Sequence, residues 1–384
     1  MSVSVGILND TAGLEQRVVA TPESVVRLKK AGFDVLVETG AGAGAYFADD
    51  LYTEAGATVV DRATTLQANV VMSISDKATL ADLATSLKDQ WLVGLLGSMG
   101  DDELAAKYAQ LNTANGVTAV DITRLPRQLS MAQSMDAMTS QNSVTGYKAV
   151  ILAADSFPKF LPMMTTAAGT VRPARVLILG AGIAGLQAIG TAKRLGAVVT
   201  AYDVRPASKE EVQSLGAKFL DISAGLSEGQ GEGGYARKLT AEEAAAQQAA
   251  VDAAAANFDI IITTAQVPGR KPPVLLTSAG VANMGAGSVI VDCGASDLGG
   301  NVEGSKPNDT VEIDGVKIIG APSLPSQTPT VSSALLARNF ADVISHFLVE
   351  DALVIRPEEE LDAALIPGTS VVEAPVAVEV KEGE

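Results

Sequence analysis

Residues 175–203 read RVLILGAGIAGLQAIGTAKRLGAVVTAYD, and this stretch decides the fold. RVLIL is a short apolar run rich in strand formers. The turn Gly180-Ala181-Gly182-Ile183-Ala184-Gly185 follows it and opens the helical stretch LQAIGTAKRLGA. AVVTAYD is a second strand, ending on Asp203, 18 residues after Gly185. Each part has a physical reason. Gly180 permits a tight turn, Gly182 lets backbone approach a pyrophosphate, and Gly185 lets helix and strand pack closely. The helix N-terminus offers free N–H groups to an anion. Asp203 can accept hydrogen bonds from ribose hydroxyls and repels a 2′-phosphate, which favours NAD over NADP. Arg205 works against that preference. The competing reading is a glycine turn that binds nothing; the full strand–turn–helix–strand–acid order favours a dinucleotide site.

The alternation continues outward on both sides. Downstream, strand candidates are Lys218–Leu220, Asp259–Thr263, Ser288–Asp292 and Val316–Ile319. Upstream lies a separate series, Val3–Leu8, Phe33–Glu38, Thr58–Asp61, Val70–Ser75, Leu92–Leu96 and Val117–Ile122. Helical patterns fill the gaps, with Thr21-Pro22 and Asp101 as start signals. The prediction is an α/β protein with two Rossmann-like, doubly wound parallel sheets. One domain covers 1–135 and is completed by about 330–384; the other covers 146–328. Ser130–Phe157 and Thr330–Phe347 read as helices that bridge them. From about Val349 the pattern fades into an acidic tail.

Composition bounds the function. The chain has 384 residues and a net charge of −17, which argues against a broad nucleic-acid-binding surface or direct adhesion to an anionic membrane. The uncharged stretch 176–192 carries four glycines, so no membrane span is expected, and MSVSVGILND has no signal-peptide pattern. A cytoplasmic protein follows as the expectation. One cysteine, Cys293, and one histidine, His346, exclude a multi-Cys zinc site and any two-His site, and no metal site is predicted.

Two further segments carry chemistry. Thr263-Thr264-Ala265-Gln266 ends a strand beside the glycine turn, where a dinucleotide would run; it reads equally as a polar strand terminus. Arg124–Ser143 reads RLPRQLSMAQSMDAMTSQNS. Gln133, Asp136 and Ser140 fall at i, i+3 and i+7, on one face of a continuous helix, with Arg127 just before. That set suits a nicotinamide carboxamide and ribose; a solvated, capped helix start explains the same residues. His346 and Cys293 read as packed side chains, and Trp91 as core.

These segments carry a resemblance. PRQLSMAQSMDAMTSQ is similar to the PRxxxAQSMD segment of the NAD(H)-binding component (domain I, in the alpha subunit) of proton-translocating NAD(P) transhydrogenase. The glycine-turn region, the DVR at Asp203, GGYA around Tyr235, ITTAQVPG and the GGN ending at Asn301 also match. The resemblance covers about residues 1–347. It implies two Rossmann-like domains with NAD(H) in the cleft between them, and a homodimer. It implies docking onto an NADP(H)-binding component and a membrane proton-channel component, so that the chain is peripheral to the cytoplasmic membrane through its partners. It also implies direct, Re/Si-specific hydride transfer between the two nicotinamides, with activity only alongside those partners. The implied catalytic set is Arg127, Gln133, Asp136 and Tyr235. The implied nucleotide contacts add Ser134, Met135, Thr139, Ile183, Val204, Arg205, Gly234 and Gln247 to Gly180, Gly182, Gly185, Asp203, Thr264, Ala265 and Gln266. Gly234 and Tyr235 would lie on a closing loop, consistent with the Gly-rich run 223–234.

The sequence departs from the family in places. Four residues, Gln128–Met131, separate Arg127 from Ala132 where the family has three. Thr139 replaces a serine, and Leu8-Asn9-Asp10 replaces a lysine-containing PKE. The Glu expected before GGN appears as Asp297. Two other functions compete. An alanine dehydrogenase-like oxidoreductase needs a Lys and a His near the substrate carbonyl, and neither residue type occurs in VVMSIS (70–75) or WLVGLLGSMG (91–100). A non-catalytic NAD-sensing or interaction protein would keep the cofactor site without hydride transfer.

Overall fold

Six short apolar runs build the first sheet: β1 (Ser4–Ile7), β2 (Asp34–Glu38), β3 (Thr58–Val60), β4 (Val70–Ser73), β5 (Trp91–Gly94) and β6 (Thr118–Asp121). In the computed structural model, which describes residues 2–11, 13–75, 77–222, 240–266 and 270–369, they pair in the order β3-β2-β1-β4-β5-β6, all parallel. Every residue of β4 and β6 is buried, as strands covered on both faces must be. Thr21 caps the helix Pro22–Ala31: its side chain accepts from the Ser24 amide while the Ser24 hydroxyl accepts from the Thr21 amide.

The chain divides into two units, 1–140 with 329–384, and 141–328. The late helix Pro329–Phe347 falls wholly in the first unit. It buries Leu336, Phe340, Ile344 and Phe347 in the same core as Val5, Ile7 and Val35. Phe347 meets Trp91 edge-on at 5.1 Å between ring centroids. The predicted fading tail is ordered structure up to residue 369. Strands β16 (Leu348–Val349) and β17 (Ala352–Leu353) form a hairpin, and a helix follows at Glu360–Leu365. Leu361, Leu365 and Ile366 anchor it in the core at helical spacing.

In the second unit, β7 (Met164–Thr166) and β8 (Gly169–Val171) form an exposed antiparallel hairpin. β9 (Arg175–Leu179), β10 (Val198–Tyr202), β11 (Lys218–Phe219), β12 (Ile260–Thr263), β13 (Val289–Asp292), β14 (Thr310–Ile313) and β15 (Val316–Gly320) form a sheet in the order β11-β10-β9-β12-β13-β15-β14. All pairs are parallel except the edge pair β14–β15. Val176, Ile178, Ile260 and Ile262 pack with Ala188 and Ala192 on one face. Leu177, Leu179, Ile261 and Ile290 pack with Val251 and Ala255 on the other. Both sheets are doubly wound. Among the described residues no helix is long and apolar enough to cross a membrane.

Candidate nucleotide-binding site

β9 ends at Leu179, and the chain turns at Gly180 with φ 99°, a conformation that favours glycine. The helix Ile183–Arg194 begins immediately, with Gly182 at its N-cap and no side chain capping it. A Cβ built on Gly182 meets nothing within 4 Å, so open space lies against the uncapped helix terminus. A Cβ on Gly185 would fall 1.9 Å from the Gly180 carbonyl oxygen, so this glycine is required by packing. The close approach at Gly185 is the packing role the sequence assigns to it. The turn has the open approach and free amides that a pyrophosphate needs.

The acid at the end of β10 is fixed in place. Asp203 Oδ2 accepts from the Ala181 amide at 2.8 Å, and Oδ1 accepts from the Arg205 amide at 2.9 Å and Arg205 Nε at 3.0 Å. Burial works against its charge, but these hydrogen bonds and the guanidinium outweigh burial and hold the carboxyl below its ordinary value. Asp203 is therefore an anion at neutral pH. Arg205 is turned onto Asp203, its guanidinium donating to both carboxylate oxygens.

A cavity of about 340 Å³ adjoins this acid, lined by Leu179, Tyr202, Val204, Gln247, Val251 and Leu275. Gln247 Nε2 donates to the Tyr202 hydroxyl. Burial, then the neighbouring Asp203 charge, pushes the Tyr202 phenol up to about 12, so it stays protonated. Thr264 closes the other side of the turn: its hydroxyl donates to the Gly180 carbonyl at 3.0 Å. Gln266 Nε2 donates to the Cys293 carbonyl at 2.7 Å. The structure thus brings Gly180, Gly182, Ile183, Gly185, Asp203, Val204, Arg205, Gln247, Thr264, Ala265 and Gln266 together in the second unit. Tyr202 is a lining residue that the sequence reading passed over, although it directly precedes the acid. Gly234 and Tyr235 lie outside the described residues.

Arg127, Gln133, Ser134, Met135, Asp136 and Thr139 fall in the first unit, and their local structure corrects the expectation of one continuous helix. Ser130–Met135 is a 3₁₀ helix, and the α-helix Ala137–Ser156 starts after it. Asp136 is the cause of the break. Its Oδ1 accepts from the Thr139 amide at 2.8 Å, its Oδ2 accepts from the Thr139 hydroxyl, and its backbone leaves helical geometry. Gln133, Asp136 and Ser140 therefore do not line one α-helical face. Asp136 also faces Arg127, with Nε to Oδ2 at 3.4 Å, while Gln133 and Ser134 are exposed and Met135 is buried. Asn339 was missed by the sequence reading: its Nδ2 donates to the Ser134 carbonyl at 2.7 Å, and its Oδ1 accepts from the Ser140 hydroxyl at 2.8 Å. A buried Asn inside the apolar helix LLARNFADVISHF was the available signal.

His346 is packed, as expected of it. Its Nε2 meets Asp362 Oδ1 at 2.5 Å and Arg356 Nη2 at 2.8 Å. His346, Glu359 and Asp362 have metal-ligand spacing, but the Arg356 guanidinium already spans His346 and Asp362 with its own charge. Cys293 is buried, and burial pushes its thiol far above the ordinary value.

Two doubly wound sheets, with a glycine turn and a ribose-type acid on the second, define a nucleotide-binding protein of the dehydrogenase class. Models for the N-terminal and C-terminal domains of alanine dehydrogenase/PNT match residues 6–145 and 149–372. The chain belongs to this family. It is 42% identical over 355 residues to an NAD(P) transhydrogenase subunit alpha chain of Rhodospirillum rubrum, covering 90% of this chain and 91% of that one. The crystal structure of transhydrogenase from Sinorhizobium meliloti superposes with a TM-score of 0.80 at 38% identity, covering 96% of this chain and all of that one. An L-alanine dehydrogenase structure superposes with a TM-score of 0.69 at 28% identity, covering 89% of each chain.

Proposed function

We propose that this chain is the NAD(H)-binding subunit of a proton-translocating transhydrogenase. The observation that carries the reading is the ionised Asp203, tied to the glycine turn by the Ala181 amide, with Arg205 drawn away from a 2′-phosphate role by its pairing with that carboxylate. This supports NAD(H) over NADP(H). When bound, the dinucleotide supplies the hydride-carrying ring; the overall exchange is NADH + NADP⁺ to NAD⁺ + NADPH, so no proton is lost or gained in the transfer itself.

The chain's residues therefore need only bind, orient and exclude water. The uncapped turn at Gly182 and Ile183 receives the pyrophosphate, and Asp203 and Val204 take the adenosine ribose. Gln247 and the adjoining cavity take the adenine end. Gln133 holds the nicotinamide carboxamide, and Arg127 and Asp136 order the nicotinamide ribose. Gly234 and Tyr235 complete the proposed set. The partners are an NADP(H)-binding component and a membrane component, the chain acts as a homodimer, and it sits at the cytoplasmic membrane through them.

The two segments expected to carry the Lys and His of alanine dehydrogenase chemistry, 70–75 and 91–100, contain neither residue type. Ser73 and Ser75, at the end of β4 and just beyond it, donate to Asp10, and the sole histidine is held by Asp362 and Arg356. The test mixes the purified chain with an NADP(H)-binding transhydrogenase component, NADPH and an absorbance-shifted NAD analogue. Reduction of the analogue only when both proteins are present is the expected result. NADH binding without any reduction would refute hydride transfer and favour a sensing role.

A further inference from the structure

The GGN at 299–301 has no role in the site described so far, yet its side-chain geometry is specific. Asn301 is fully buried. Its Nδ2 donates to two carbonyls, Ala265 and Pro273, both at 2.8 Å. Its own carbonyl accepts from the amides of Leu275 at 2.7 Å and Leu276 at 3.0 Å. Its Oδ1 has no hydrogen-bond partner among the described residues. That sets the carboxamide's orientation: turned over, it would aim an oxygen at two carbonyl oxygens. A buried acceptor left unpaired is unfavourable, and here it accompanies a bridge that no apolar side chain can make.

The neighbours are shaped around this bridge. A Cβ on Gly294 would lie 2.4 Å from Asn301 Oδ1, and a Cβ on Gly300 would lie 2.3 Å from Asp292 Oδ2. Asp292 in turn accepts from the Thr263 hydroxyl at 2.9 Å and the Gly294 amide at 2.9 Å. Thr263 and Asp292 end adjacent strands, and the next residues on the β12 side are Thr264 and Ala265. Thr264 holds the carbonyl of Gly180. The chain of contacts therefore runs from Asn301 through Ala265 and Thr264 to the glycine turn.

We infer that Asn301 is a positioning residue for the nucleotide site. It fixes the Ala265 carbonyl, and through it the Thr264–Gln266 segment against the turn, without touching the nucleotide itself. This rests on the NAD(H) reading above.

The experiment uses the full chain with Asn301→Leu and Gly294→Ala, and Ser278→Ala as a control that loses only its hydroxyl's bond to Glu303. NADH is titrated calorimetrically, thermal melting is recorded, and analogue reduction is followed with the NADP(H)-binding component. Asn301→Leu is expected to raise the NADH Kd at least tenfold, while the transfer rate at saturating NADH stays within threefold. Gly294→Ala is expected to raise the Kd similarly, because its methyl group displaces the same carboxamide. Ser278→Ala lowers the melting temperature and leaves the Kd unchanged. If Asn301→Leu does not fold, Gly294→Ala decides alone. Folded variants that bind NADH within twofold of the unmodified chain would overturn the positioning role. Failure of the unmodified chain to bind NADH would overturn the nucleotide reading beneath it, and the positioning role with it.

Discussion

The Asp203 carboxylate accepts the Ala181 amide at 2.8 Å, so the acid that ends one strand is fastened to the middle of the turn that ends its neighbour. Acid and turn therefore move as one body. Replacing Asp203 by Asn removes the charge and frees Arg205. The NADH Kd is expected to rise about tenfold, equivalent to ~1.4 kcal/mol, while NADPH binding improves relative to NADH. Isothermal titration of both nucleotides checks this. The sign with pH follows from the lowered folded value of this carboxyl. Its contribution is present above the ordinary value of 3.8 and is lost only as pH falls through the lower folded one. NADH affinity of the unmodified chain should therefore stay level from about pH 8 down to about pH 5 so far as this carboxyl is concerned.

The glycines of the turn separate binding from folding. Gly182→Ala adds a methyl group into open space at φ −76°, so stability should change by under about 0.5 kcal/mol while nucleotide binding is lost. Gly185→Ala drives a methyl group into the Gly180 carbonyl. It should cost about 2–3 kcal/mol of stability as well. Denaturant titration beside NADH titration distinguishes the two. Equal destabilisation by both would refute the geometry.

Asp362 is fully buried and accepts from the Arg356 amide at 2.8 Å, from Arg356 Nε at 3.1 Å and from the His346 ring. Asp362→Ala removes the buried anion between the guanidinium and the imidazole, leaving Arg356 with Glu359 at 3.5 Å. A loss of about 3–5 kcal/mol is expected, measured by chemical denaturation of the first unit's transition. A loss below about 1 kcal/mol would show that water replaces the carboxylate.

Asp10 gives the opposite pH sign to Asp203. It is buried, and burial raises its carboxyl despite hydrogen bonds from the Ile74 amide and the Ser75 and Ser73 hydroxyls. The folded chain thus holds this proton more tightly than the unfolded chain. Stability from this group falls as pH rises from 3.8 to the folded value, then levels. Asp10→Asn can accept from Ile74 and donate to the serines, without the buried charge. The variant should be the more stable at pH 7, with the advantage shrinking toward pH 4. Paired denaturation curves at both pH values test it.

Most of the two sheets was legible because their strands are continuous apolar runs with turn signals between them. RVLIL and IIIT can serve little else than buried strands. The edge strand Thr310–Ile313 was not read, although Asp314-Gly315 is a hairpin turn signal, because its residues alternate between exposed and half-buried with few apolar side chains. The Met164–Thr166 and Gly169–Val171 hairpin lacked any apolar face to detect. At the candidate site, the glycine turn and Asp203 follow from spacing because their roles are local to one strand–turn–helix unit. Asn301 and Asn339 do not, since their carboxamides bond to carbonyls and hydroxyls far away in sequence. The break at Asp136 is a contest between capping and helix continuation, which periodicity alone decides wrongly.

The first unit is interrupted by residues 141–328, and its core draws on both sides of the interruption. During synthesis, β1 to β6 emerge long before Leu336, Phe340 and Ile344 exist to cover their share of apolar surface. At about 5–20 residues per second, the intervening 188 residues (328 − 140) take on the order of 10–40 s. Throughout that interval the nascent first unit presents an open hydrophobic face, whereas the second unit is one continuous segment whose sequence is complete at residue 328, before that of the first. Expression at low chaperone capacity should therefore fail first through aggregation of the N-terminal half.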